Sequence, residues 1–138
     1  MASFNKFNSF VEALAEKVHN LQSDTLTVAL TAAANAPVAT NTKLSDLTQI
    51  SYTNCSSRAL TVGSSAQSSG TYKLVITDLV LTASGGSVGP FRYVVLYNDT
   101  ATNDELIGWY DYGSDVTLAS GETFTIDFDA TAGVLTIA

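Results

Sequence analysis

The hydrophobic period changes once along this chain, and that change restricts its fold more than any other feature of the sequence. Within residues 4–19, one face of a helix is apolar at the i, i+3, i+4, i+7 spacing, formed by Phe7, Phe10, Val11, Leu14 and Val18. After Ser23 and Asp24 the period becomes 2, with Leu26, Val28 and Leu30 alternating with threonines. The sequence therefore predicts one N-terminal amphipathic α-helix followed only by strands and loops.

The start of the predicted helix carries capping residues. Asn8 or Ser9 is expected at the N-cap, and Glu12 lies three residues after Ser9, the spacing of a capping box. Phe4 is expected to pack against the first turn or to contact a neighbouring subunit.

The remaining chain reads as about eight short strands at intervals of about 8 to 15 residues. The predicted strands are 25–31, 58–62, 72–82, 92–97, 106–112, 116–118, 123–129 and 134–137. Residues 63–70 (GSSAQSSG) are predicted to be a polar turn, and Leu44, Leu47 and Ile50 a single helical turn. The fold class predicted is mainly β: an antiparallel β-sandwich, a jelly roll or another Greek key, with one N-terminal α-helix. We divide it into a helical arm (1–23) and a sandwich (24–138) within a single compact domain.

The most apolar stretch, residues 72–82 (YKLVITDLVLT), predicts a central strand because both of its faces are apolar. Asp78 interrupts that pattern near the middle. It is expected to mark a bulge, a bend or a crossing between two sheets.

Composition excludes several classes of partner. The chain has 13 acidic and 6 basic residues, a net charge of −7, so nucleic acid and anionic membranes are not expected to bind it. Cys55 is the only cysteine, which excludes an internal disulfide. The first residues lack the apolar core of a signal peptide, and we expect assembly in a cytoplasm.

The segment 98–105 (NDTATNDE) concentrates Asp99, Asp104 and Glu105 in one loop. Carboxylates are the ligands that Ca²⁺ prefers, but the loop lacks the spacing and the central glycine of an EF-hand. Asn and Asp are also the residues that turns select. The loop is interpreted as a solvated hairpin tip, with a cation site as the alternative.

Other chemical candidates have ordinary structural explanations. Asp127 and Asp129 fit the wet face of the strand 123–129, and His19 fits a helix C-terminus. A Cys55–His19 dyad has no recognisable nucleophile context. The aromatic residues of 93–97 and 109–112 are expected to fill the core or to form a platform for sugars or a protein. No catalytic residue, metal ligand or cofactor is assigned.

Three stretches carry a resemblance to a known family: FNKFNSFVEALAEKVHNLQSDTLTVALT (4–31), SGGSVGPFRYVVLYNDTATNDELIGWYDYG (84–113) and LASGETFTIDFDATAGVLTIA (118–138). In them the chain resembles small virion structural proteins of tailed bacteriophages. The resemblance implies a β-sandwich or jelly roll that decorates or cements a capsid, without catalytic residues. Its implied partners are the major capsid protein and copies of itself, as a dimer or trimer, in a virion assembled in the host cytoplasm.

The helix is the expected interface in this interpretation. Its candidate interface residues are Phe4, Phe7, Phe10, Val11 and Leu14. Deletion of residues 1–19 is then expected to change the oligomeric state and the capsid occupancy. The alternatives are a tail or fibre module that binds a host glycan and, less in keeping with a single histidine and cysteine, a hydrolase.

Overall fold

The computed structural model describes residues 2–138, and strands hold 45% of the residues against 9% in helices, so the fold is mainly β. The elements in chain order are β1 (Phe4–Lys6), α1 (Ser9–Ala15), β2 (Leu26–Thr31), β3 (Val62–Ser68), β4 (Thr71–Ile76), β5 (Leu79–Thr82), β6 (Val88–Asn98), β7 (Leu106–Leu118), β8 (Thr123–Ile126) and β9 (Leu135–Ile137). Two 3₁₀ turns, Ala33–Asn35 and Leu44–Asp46, lie between β2 and β3.

All strand pairs are antiparallel, and the strands form three sheets rather than a closed barrel. The four-stranded sheet has the order β1-β7-β6-β2, the three-stranded sheet the order β3-β4-β9, and β5 pairs with β8. One apolar cluster takes buried side chains from all three sheets, including Val94, Leu74 and Leu81. A second, smaller cluster surrounds Phe7 between β2, β6 and β7.

The predicted helix over 4–19 is wrong in length. Its first three residues form β1, which pairs with β7 in the register Phe4↔Tyr110 and Lys6↔Gly108, and α1 spans only Ser9–Ala15. The N-cap is Asn8, which makes no side-chain capping hydrogen bond, so the predicted Ser9–Glu12 capping box is also wrong. The N-terminal residues thus join the four-stranded sheet by main-chain pairing. The domain division at residue 23 stays a prediction.

Residues 63–70 are the largest error in the strand prediction. Val62–Ser68 is a strand, paired with β4 through Ser65↔Leu74 and Gln67↔Tyr72, and the turn is confined to Ser69 and Gly70. Serine-rich β3 is an edge strand with most side chains exposed, so it lacks the apolar face from which strands are recognised.

Of the three alternatives given for Asp78, a bulge, a bend or a crossing between sheets, the structure shows the crossing, and the predicted single strand 72–82 is divided there. β4 ends at Ile76 in the three-stranded sheet, and β5 begins at Leu79 in the two-stranded sheet. Asp78 Oδ1 accepts a hydrogen bond from the Phe128 amide at 2.8 Å, which fixes the point where the chain leaves one sheet for the other.

The alternation in β2 does not separate a dry face from a wet one. All six residues are buried, Thr27 and Thr31 included. The outer edge of β2 is covered because the Val28 amide donates to the Arg58 carbonyl (3.1 Å) and the Leu60 amide to the Leu26 carbonyl (2.8 Å). Both faces of this edge strand are therefore packed.

Within residues 2–138, no helix has the length and apolarity needed to cross a membrane.

Candidate functional site

An apolar groove of about 490 Å³ lies between β1, α1 and β9, where the four-stranded and three-stranded sheets both end. Besides Ala15, its apolar lining has six large side chains, those of Phe4, Phe10, Val11, Leu14, Leu135 and Ile137. Four of these six belong to the interface predicted from the sequence. The groove is the place where the N-terminal and C-terminal strands of the fold meet.

The floor of the groove is fixed by packing. Phe10 is 3% exposed, and its ring lies 5.4 Å from the His19 ring, centroid to centroid. The Phe4 ring lies 5.6 Å from Tyr110 and covers Gly108. A Cβ atom at Gly108 would meet the Phe4 ring at less than 3.0 Å and the Asn5 carbonyl oxygen at 2.6 Å. The absence of a side chain at Gly108 is thus what allows Phe4 to pack closely against β7.

The rim of the groove exposes two large apolar side chains. Val11 is 52% exposed and Ile137 is 44% exposed, and they belong to opposite walls. Single exposed apolar residues are ordinary, but a contiguous apolar patch marks a surface that binds something. The exposed rim and the buried floor together form such a patch.

The groove continues past Leu14 and Ile137 into a second depression of about 500 Å³. Tyr72, Ser65 and Lys17 line this extension, and a hydrogen bond of 2.8 Å joins the Tyr72 and Ser65 hydroxyls. The extension crosses from Ile137 of β9 over Tyr72 of β4 to Gln67 of β3, so this second part passes over all three strands of the sheet.

The charges lining the groove are cationic. Lys6 lines the first part and Lys17 the second, and no carboxylate lines either. Among residues 2–138 the only ion pair joins Arg92 to Asp111, so neither lysine is neutralised by a salt bridge. The groove therefore carries positive charge on a chain whose net charge is −7.

Phe7 is separated from the other predicted interface residues. It is fully buried in the second cluster and lies 4.6 Å from the Trp109 ring. Its side chain serves the fold and is not available to a partner. The sequence placed it on one face with Phe10 because the i, i+3 spacing was read as helical, whereas the chain enters α1 only at Ser9.

The sequence did not identify β9 or the two lysines as parts of the site. Leu135, Thr136 and Ile137 were predicted as a strand, but no pattern in a sequence states which element lies beside a terminal strand. Lys6 and Lys17 are scattered single charges in the sequence. Only the pairing of β9 with β4 and of β1 with β7 brings them to one surface.

A buried polar cluster supports the chain just behind the groove. Asn98 is fully buried, and its Nδ2 lies 3.0 Å from His19 Nδ1 and donates to Asp24 Oδ2 at 2.7 Å. Burial lowers the pKa of His19 below its usual 6.5, while the charges of Glu105 and Asp24 act in the opposite direction. Asn98 thus holds the His19 ring at the end of β6, where burial disfavours the charged form of the imidazole.

The acidic loop 98–105 is fixed by main-chain hydrogen bonds. Asn98 Oδ1 accepts from the amides of Thr100 (3.0 Å) and Ala101 (3.2 Å), and the Asp99 amide donates to the Thr25 carbonyl (2.9 Å). Burial, followed by the charges of Asp99 and Glu105, raises the pKa of Asp104. Residues 2–138 contain no group of three or more His, Cys, Asp or Glu side chains placed to hold a metal. The contacts are those of an ordered turn.

The remaining chemical candidates are dispersed. Cys55 forms an isolated bridge with Ala83, burial raises the pKa of its thiol, and no hydrogen bond in residues 2–138 links it to His19. Asp127 and Asp129 both lie beyond β8, so their predicted places on a strand face are wrong. Asp129 Oδ1 instead accepts the Thr131 and Ala132 amides at 2.8 Å, as a turn residue does.

The aromatic residues of β6 and β7 are engaged within the chain. Tyr110 contacts Phe128 as well as Phe4, and Tyr112 packs edge-on against Phe124 at 5.1 Å. Burial, followed by the charge of Asp127, raises the pKa of Tyr112 to about 12. These contacts use the rings for intramolecular packing.

No protein-family model, curated protein or solved structure matches this chain.

Proposed function

We propose that this chain is a structural virion protein that binds and stabilises a phage capsid as a decoration or cement protein. The observation that carries the proposal is the apolar groove, in which Val11 and Ile137 expose about half of their surface. The resemblance of the three stretches to virion proteins supplies the class of assembly. The major capsid protein is the proposed partner, the virion the proposed location, and a dimer or trimer the proposed assembly unit.

We also propose the finer fold that this class implies, an antiparallel β-sandwich of the jelly-roll or another Greek-key type. The larger apolar cluster, to which all three sheets contribute, supports two packed layers. The passage of the chain from β4 to β5 at Asp78 supports a corner where a strand changes layer.

The proposed mechanism is mass action. A protein that binds only the assembled shell stabilises each site by RT ln(1 + [L]/Kd), and a capsid has many sites. The chain needs no cofactor and no moving part for this role. It needs a rigid apolar surface, and the packing of Phe10 and Phe4 beneath the groove supplies rigidity.

Immunogold electron microscopy tests the location. An antibody against the purified chain is applied to particles of the phage that encodes it. Gold on the heads supports the proposal, gold on tail fibres supports the glycan-binding alternative, and unlabelled particles contradict both.

Occupancy measurements on capsids that lack the chain test the surface. The substitution Val11→Asp adds a charge in the groove, and we expect it to lower occupancy on the order of tenfold. Val38→Asp is the matched control, because Val38 is also 52% exposed but lies outside the groove. Equal occupancy of the two variants would show that the groove is not the capsid-binding surface.

A further inference from the structure

We infer that the groove binds its partner by β-strand addition: an extended apolar segment of another protein, flanked by carboxylates, pairs with the open edge of β9. The inference rests on the proposed function in one respect, that the groove binds protein. It adds the conformation and the charge of the segment that is bound.

The lining of the first part of the groove places that part along the edge strand β9. Leu135, Thr136 and Ile137 are consecutive, their side chains alternate across the strand, and all three line the groove. β4 pairs with one edge of β9 through Tyr72↔Ile137 and Leu74↔Leu135, and β9 ends the sheet on the other side. The peptide groups on that free edge are the hydrogen-bonding groups that strand addition uses.

The free edge of β9 lacks the features that cover or protect the edges of β2 and β3. The main chain of 58–60 covers the edge of β2, and β3 presents an edge rich in serine. The edge of β9 is Leu-Thr-Ile, without the charge, proline or bulge that commonly prevents strand pairing. Its length of three residues keeps the main-chain contribution small, so the side-chain wall must contribute to affinity.

The opposite wall suits the side chains of an added strand. Phe4 and Lys6 are two residues apart in β1 and both line the groove, so β1 presents one face to it. Val11 and Leu14 continue this wall along α1. An extended segment would pair with β9 by its main chain and direct alternate side chains against this wall.

Charge complementarity specifies the ends of that segment. Lys6 lies in the first part of the groove and Lys17 in the second. His19 also lines the second part, but it packs against Phe10 and its burial disfavours the charged imidazole. Carboxylates at the two flanks of a bound segment would meet these two ammonium groups.

The conformation of Lys17 is a second, independent indication that its charge is used. The Val18 amide donates to the Ala13 carbonyl and the Lys17 amide to the Leu14 carbonyl, which is a Schellman motif with Lys17 at C′. The φ of Lys17 is 67°, in the left-handed region where glycine is usual. A lysine at this position carries a backbone cost, and it places an ammonium group at the groove.

A second copy of the chain fits this surface less well. In a two-fold contact the same patch meets itself, so Lys6 and Lys17 would face a patch with the same two cations. The net charge of −7 on each copy adds repulsion over the remaining surface. The cationic groove therefore favours a segment of a different protein, with carboxylates confined to the flanks of that segment.

Selection from a library of random linear peptides tests the inference without knowledge of the partner. The library is selected in parallel on wild type, Val11→Asp and Val38→Asp. We expect wild type and Val38→Asp to enrich peptides with alternating apolar residues between Asp or Glu flanks, and Val11→Asp to bind them on the order of tenfold less tightly. Enrichment of basic peptides, or equal enrichment on Val11→Asp, would overturn the inference.

Two further measurements use the best enriched peptide. Methylation of alternate peptide nitrogens removes donors without changing side chains, and strand addition predicts loss of binding for one of the two alternating sets. Undiminished binding of both methylated forms would exclude strand addition.

The double variant Lys6→Gln, Lys17→Gln should bind the peptide less tightly and with a smaller salt dependence, because two charge contacts are lost. An unchanged salt dependence contradicts the assignment of the flanks.

Light scattering tests whether a second copy of the chain occupies the groove. A dimer or trimer that Val11→Asp dissociates, and Val38→Asp does not, would show that a second copy fills the groove, and the inference would be wrong. Head labelling by immunogold is independent of this outcome. Failure of peptide binding on a chain that still labels heads would reject strand addition and leave the decoration function standing.

Discussion

The substitution Gly108→Ala should displace β1, because the glycine is the surface on which Phe4 and Asn5 lie. An added Cβ would be 2.6 Å from the Asn5 carbonyl oxygen, and ordinary contacts begin at 3.4 Å. Rotation of the Phe4 ring cannot relieve a main-chain contact, so the strand must shift by about 0.8 Å or separate from β7. Such overpacking costs about 1–3 kcal/mol of the free energy of unfolding.

Gly63→Ala provides the matched control for this prediction. Gly63 is also in a strand, and a Cβ there meets only ordinary contacts, the nearest being Thr77 Oγ1 at 3.5 Å. Replacing a strand glycine by alanine without a clash should stabilise the protein by about 0.5–1 kcal/mol, since glycine loses more conformational freedom on folding. The two variants are therefore expected to change stability in opposite directions.

Urea unfolding followed by circular dichroism measures both changes, and amide hydrogen exchange locates them. In Gly108→Ala the amides of Phe4–Lys6 that are protected in the wild type should exchange faster, while those of β6 keep their protection. The double variant Phe4→Ala, Gly108→Ala should still be clearly less stable than Phe4→Ala, because removal of the ring leaves the 2.6 Å contact between the added Cβ and the Asn5 carbonyl oxygen. A Gly108→Ala protein as stable as Gly63→Ala, with unchanged exchange at residues 4–6, would refute the reasoning.

Three other predictions concern the residues around the groove. Lys17→Gly should raise the free energy of unfolding by about 1 kcal/mol, as glycine adopts the left-handed C′ conformation without strain; Lys17→Ala, which also removes the charge but keeps the strain, is the control, and equal stabilities by urea titration would contradict it. The pKa of His19 in the folded protein lies below 6.5, so as the pH falls His19 is protonated in the unfolded chain before it is protonated in the folded one. The stability that uncharged His19 contributes is therefore complete above pH 6.5 and is lost as the pH falls through its folded-state pKa. His19→Gln should thus flatten the stability–pH curve below pH 6.5, and an equal slope in both proteins would exclude this role. Asn98→Ala should cost about 2–4 kcal/mol, because it leaves the buried His19 Nδ1 without its partner and removes the hydrogen bonds to Asp24 and to the Thr100 amide; a loss below about 1 kcal/mol in thermal unfolding would show that water replaces the amide.

The strands that the sequence predicts well are those with a dry core face. Thr123–Ile126 and the hairpin of β6 and β7 were found because their apolar and aromatic residues recur at the strand period. The interruption of the apolar stretch 72–82 at Asp78 is also predictable from the sequence, since a buried carboxylate in an apolar strand requires a hydrogen-bond partner. Its partner, the Phe128 amide, is 50 residues away and could be identified only in three dimensions.

The wrong predictions concern elements that are stabilised by contacts between segments distant in the sequence. Phe4 and Phe7 share their spacing with Phe10, which suits a helix, but pairing with β7 and burial beside Trp109 outweigh local preference. β3 has no apolar pattern and exists because β4 offers it hydrogen-bonding groups. The sequence predicts the wall of the groove that α1 forms. It does not predict the wall that β9 forms, because the position of β9 depends on the order of strands in the sheet.

The contact between Phe7 and the single tryptophan, Trp109, gives this protein a built-in fluorophore for its smaller core. Trp109 packs against the Phe7 cluster and not against the main apolar cluster, so its emission reports the solvation of the Phe7 cluster. If the N-terminal residues separate first on heating, the emission will shift to longer wavelength at a temperature where the sheets are still intact. Emission alone would then reveal a domain that melts in two stages, beginning at the end that carries the groove.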